Sequence, residues 1–74
     1  MIFNKIYAEE GNVVKEYLAT NNSKVEKLGI NVIKIAYEVL GYNYFSSNKY
    51  IPIFKIVAIE TVEIDDSLIE EPIS

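Results

Sequence analysis

Four carboxylates crowd the stretch from 60 to 66: Glu60, Glu63, Asp65 and Asp66. Acids this close together could hold a hard cation, or could pair a general acid with a general base. The alternating acid positions and the central glycine of an EF-hand loop are absent. Paired-carboxylate catalysis also needs an enclosed pocket, and a domain of 74 residues has little room for one. Solvated charge remains, and solvated charge attracts a basic partner. A second group, Tyr42, Tyr44, Phe45 and Tyr50, surrounds a polar turn. Tyrosine supplies large contact area at low entropy cost and is enriched at protein interfaces. With Lys49 among them these rings could also stack on single-stranded bases, or simply pack onto a core. The acidic and aromatic sets together are the residues expected to meet a partner.

Lys24, Lys27, Asn31 and Lys34 form a thin polar stripe if the segment is helical. Such a stripe invites a winged-helix reading with nucleic acid as the ligand, but a pI of about 4.6 opposes phosphate binding. The competing account is a solvated helix face carrying a Lys34–Glu38 pair. Gly11, Gly29 and Gly41 stand alone, so no glycine-rich loop cradles a phosphate. The chain has no cysteine and no histidine. That excludes thiol nucleophiles, disulfides, histidine metal ligands and a histidine general base. No catalytic, metal-ligating or cofactor-binding residue is therefore expected, and the chain is read as non-enzymatic.

Charge is unevenly distributed. Residues 1–55 hold seven lysines against five glutamates, whereas residues 56–74 hold six acids and no base. The net charge of −4 thus conceals a near-neutral body with an acidic end. The first residues lack the apolar stretch of a secretory signal, and the longest aliphatic run, Ile56-Val57-Ala58-Ile59, is far too short to span a membrane. A cytoplasmic location away from any membrane is the expectation. Ile, Lys, Asn and Tyr make up 32 of the 74 residues, a bias that suits AT-rich codons and hence a low-GC bacterium or its phage.

These residues need elements to position them. Residues 2–8 are rich in strand formers. From Asn12, a candidate N-cap, Val13, Val14, Tyr17 and Leu18 recur as a helical stripe, which predicts a short helix over 12–20 with a hairpin strand as the competitor. Ser23-Lys24-Val25-Glu26 fits a capping box, and Gly41 stands where a left-handed helix cap would fall. Between them Val25, Leu28, Val32, Ile35, Ala36, Val39 and Leu40 gather on one side, predicting a main helix over 24–40. The β-branched run from Ile33 to Val39 permits a strand instead. An aromatic strand is expected over 42–45 and a long one over 51–64, with 53–59 apolar on both faces as in a central strand.

The expected fold is therefore α+β: strands near 2–8, 42–45 and 51–64 in a short sheet, covered by helix 24–40 and the shorter helix 12–20. Residues 1–64 form one domain and 65–74 an acidic C-terminal tail. A helix apolar over most of its circumference would leave surface uncovered, so a homo-oligomer or a partner is expected. The function expected is a protein-interaction module that presents acid to a basic protein surface, such as a small inhibitor or accessory protein. A winged-helix nucleic-acid binder and a small structural subunit of a phage-type assembly are the alternatives.

Overall fold

The computed structural model describes residues 1–20 and 32–70, and every described element is a strand or a single 3-10 turn. β1 (Ile2–Glu10) and β2 (Val13–Thr20) form an antiparallel hairpin in register from Phe3↔Thr20 to Glu10↔Val13. β3 (Val32–Lys34), β4 (Tyr37–Leu40) and β5 (Asn43–Ser46) follow. Then come β6 (Tyr50–Pro52), a 3-10 turn at Ile53–Lys55 and β7 (Ile56–Glu63). A second 3-10 turn, Asp66–Leu68, leads into β8 (Ile69–Glu70). Six strands make one sheet in the order β7-β1-β2-β4-β5-β8, and β3 pairs with β6 in a separate two-stranded sheet.

The fold is all-β where α+β was expected, and both predicted helices are corrected. The segment 12–20 is strand β2, and Asn12 is the second residue of a two-residue turn rather than an N-cap. Gly11 precedes it at φ +63, with no positive φ at Asn12, the pattern of a type II′ hairpin turn. Tyr17, Leu18 and Ala19 are consecutive and all buried, because both faces of β2 are covered there. A strand buried on both faces loses its alternation, and that loss imitates a helical stripe. Of the predicted helix 24–40, residues 24–31 lie outside the described residues, and the rest is β3, β4 and the two residues that join them, Ile35 and Ala36. In this stretch Ile33 and Ile35 are buried while Lys34 between them is exposed, a period of two. Gly41, at φ +65, turns the β4–β5 hairpin rather than ending a helix. Lys34 and Glu38 consequently sit on different strands, and no helical i,i+4 pair exists between them.

The strands expected at 2–8 and 42–45 are present as β1 and β5. The long strand expected at 51–64 is divided by the 3-10 turn, and its second part, β7, ends the six-stranded sheet instead of occupying its centre. The main core lies between the two sheets: Ile6, Ala8, Tyr17 and Ala19 from β1 and β2 meet Ile33, Ile35 and Ile51, with Ile53 and Ile56 packed against them. On the other face of the hairpin Phe3 and Leu18 are fully buried, and the Phe3 ring meets Tyr37 edge-on at 5.6 Å.

Chain length requires the large sheet to curl. β7 ends at Glu63 and β8 begins at Ile69 on the opposite end strand. Six residue steps span at most about 22 Å when fully extended, and the 3-10 turn shortens that reach. Five strand spacings in a flat sheet amount to roughly 24 Å. The two ends of the sheet must therefore bend towards each other, as in an unclosed barrel.

Candidate protein-binding edge

The acidic residues lie on β7 and the segment that leaves it. Glu60 is the Cα partner of Lys5, and Glu63 that of Ile2. Lys5 does not neutralise Glu60: its ammonium is 2.9 Å from Glu16 Oε1, on the other side of β1. The Tyr7 hydroxyl instead donates to Glu60 Oε1 at 2.8 Å, and this bond raises the tyrosine's pKa. Among the described residues no lysine pairs with Glu60, Glu63, Asp65 or Asp66. Asp65 accepts the Ser67 amide at 3.0 Å, which holds its carboxyl below the usual range. Asp66 Oδ1 lies 3.7 Å from the Met1 ammonium, but both groups are widely exposed and solvent screens the pair. Met1, Glu63, Ile64, Asp65 and Asp66 line a shallow open depression. Among the described residues no three acidic side chains are placed to hold a metal ion.

The aromatic set is elsewhere. Tyr42 is 95% exposed at the tip of the β4–β5 turn, and Tyr44 is half-buried on β5 opposite Val39. Phe45 pairs with Glu38 on one side and Glu70 on the other, while Tyr50 opens β6 across from Lys34. Three strands separate β5 from β7 in the sheet order. The acids of β7 and the aromatic residues Tyr44 and Phe45 thus stand on different strands of the large sheet, and Tyr50 belongs to the smaller one. Of the lysine stripe, Lys34 is exposed on β3, and Lys24, Lys27 and Asn31 lie outside the described residues. The recognition helix that a winged-helix reading places at 24–40 is absent over 32–40, and the helix meant to precede it is β2.

One polar cluster escaped the sequence reading. At the rim of the main core the Tyr17 hydroxyl donates to Glu10 Oε2 at 2.7 Å, and the Lys49 ammonium donates to Glu10 Oε1 at 2.7 Å and to the Tyr17 oxygen at 2.9 Å. Lys49 also lies 5.1 Å from the Tyr17 ring centre, and Lys15 approaches Glu10 at 3.5 Å. These donors pull the Glu10 pKa down to about 2. Glu10 in turn raises Lys49, while burial is the main cause raising Tyr17. Every member is already satisfied by another, so the cluster fastens the 47–49 loop to the hairpin and leaves no group free for chemistry. The signal that could have found it is the Gly11-Asn12 turn. Once the hairpin register is known, Glu10 and Tyr17 fall on the same face.

No family model, curated protein or solved structure matches the chain. A phage or low-GC bacterial source and an inhibitory role, both expected from composition and charge, thus draw no support from any relative. The helix whose apolar circumference led to the expectation of a homo-oligomer is absent over 32–40. No helix among the described residues is long and apolar enough to cross a membrane.

Proposed function

We propose that the chain is a non-enzymatic protein-interaction module that docks its acidic edge on a basic protein surface. One observation carries this reading: β7 and the turn after it present Glu60, Glu63, Asp65 and Asp66 to solvent, and no lysine lies anywhere from residue 56 onward. Exposed charge of one sign raises the rate of encounter with a partner of the other sign, whereas buried apolar contacts set how long the complex lasts. The exposed side chains of Val57 and Ile59 on the same strand supply apolar area for such contacts.

The test takes a basic protein recovered by cross-linking and measures its association with the parent chain and with a variant carrying Glu60→Gln, Glu63→Gln, Asp65→Asn and Asp66→Asn. Association of the variant should be at least tenfold slower at low salt and nearly independent of salt, with dissociation changed much less. Equal association rates, or tight binding of nucleic acid to the parent chain at physiological salt, would overturn the reading.

A further inference from the structure

Among the described residues, the outer edge of β7 pairs with no other strand. Of the two strands that end the large sheet, β8 has two residues and β7 eight, and among the described residues only β1 pairs with β7. A long exposed strand edge presents a row of unused amide and carbonyl groups, which ordinary proteins blunt with lysine, proline, bulges or a covering segment. β7 contains no lysine and no proline. It has one irregularity, where the register with β1 shifts between Tyr7 and Ala8, and this leaves Val57 as the extra residue. Beyond that shift Ala58–Glu63 pairs regularly with Tyr7–Ile2. Val57 and Ile59 are 56% and 54% exposed, so among the described residues no segment covers these two side chains.

We propose that this edge accepts an extended basic segment of a partner protein as an additional antiparallel strand, with two basic residues three positions apart. The proposal rests on the acidic-edge reading above and specifies how the partner is held. Cα partners in an antiparallel pair share a face, so the sheet itself sets the pattern. Glu60 lies on one face with Ala58 and Val62, and Glu63 lies on the other with Ile59 and Thr61. A residue opposite Glu63 and the residue three further along, opposite Glu60, would each meet a carboxylate. The next position meets Ile59 and calls for an apolar side chain. Opposite charges directly across a strand pair stabilise it and like charges oppose it. A second copy of this chain is the less suitable occupant. It carries the same net charge of −4 and offers no lysine within its own β7.

The probe is the capped peptide Lys-Val-Thr-Lys-Val-Thr, which places lysine opposite Glu63 and Glu60 and valine opposite Val62 and Ile59. Two further peptides carry N-methyl groups on alternate amides, one set on each strand edge. Amide shifts of the isotope-labelled full chain are followed at millimolar peptide. The expected result is movement of the β7 amides, with one methylated peptide binding like its parent and the other at least tenfold more weakly. Glu60→Gln with Glu63→Gln should weaken the parent peptide about tenfold. Equal binding by both methylated peptides would overturn strand addition and leave the acidic-edge reading standing. An intact methylation pattern with no effect of the two glutamate substitutions would overturn the choice of a basic segment, and with it that reading. No movement at millimolar peptide overturns the proposal, as does movement of β7 amides with protein concentration alone, which would make a second copy the occupant.

Discussion

Among the described residues, Glu10 is a carboxylate held far below its ordinary range. The carboxylate accepts from Tyr17 and from Lys49, and its pKa of about 2 lies below the ordinary 4.5. A depressed carboxyl pKa means that the unfolded chain binds the proton more readily, so the contribution to stability is fully present above about pH 4.5 and is lost as pH falls towards 2. Solvent reaches both partners in part, so the contribution is on the order of 1–2 kcal/mol rather than the full value of the shift. Glu10→Gln should lower stability by that amount at pH 7 and by almost nothing near pH 2, as measured by denaturant unfolding across the range. Tyr17→Phe should cost about 1 kcal/mol, because Glu10 and Lys49 still meet directly once the hydroxyl is gone. The Gly11-Asn12 turn is a sequence signal that places Glu10 and Tyr17 on one face, but nothing in the sequence marks Lys49 as their partner. Glu10 and Lys49 are 39 positions apart, and only the packing of the 47–49 loop on the hairpin brings them together.

At the scale of the elements, the strands β1, β5 and β7 were legible from β-branched and aromatic runs, and the two helices were misread for identifiable reasons. A glycine at positive φ serves a helix C-terminus and a type II′ hairpin equally well, so Gly41 alone cannot distinguish them. Asn12 has the same ambiguity between N-cap and turn. The alternation Ile33-Lys34-Ile35 was the deciding feature, but the wider stripe through Val32, Ala36, Val39 and Leu40 obscured it. Gly11 tests the turn assignment. A Cβ built there meets nothing within 4 Å, so Gly11→Ala carries only the backbone cost of a positive φ. That cost is at least about 1–2 kcal/mol, and Gly11→Asn should lose about as much, because the first central position of a type II′ turn lies outside the left-handed helical region that asparagine tolerates. Equal melting temperatures for Gly11→Ala and the parent would mean that the hairpin does not turn there.

Among the described residues, a curled six-stranded sheet with one long unpaired edge, that of β7, packs against a two-stranded sheet. The acidic residues were legible as a group from the charge count alone, but their placement on an edge strand was not. The apolar run Ile56-Val57-Ala58-Ile59 suggests a buried central strand, whereas the sheet order places it outermost. The proposed binding edge rests on that difference, which also puts three strands between the acidic residues of β7 and β5 in the sheet order. Hydrogen exchange resolved residue by residue along Ala58–Glu63 tests the open edge most directly. If β1 alone pairs with β7, protection alternates: amides bonded to β1 exchange slowly, and those between them exchange at nearly the rate of an unstructured chain. Slow exchange at every amide from 58 to 63 in the isolated protein would contradict the account, because the edge would already be occupied.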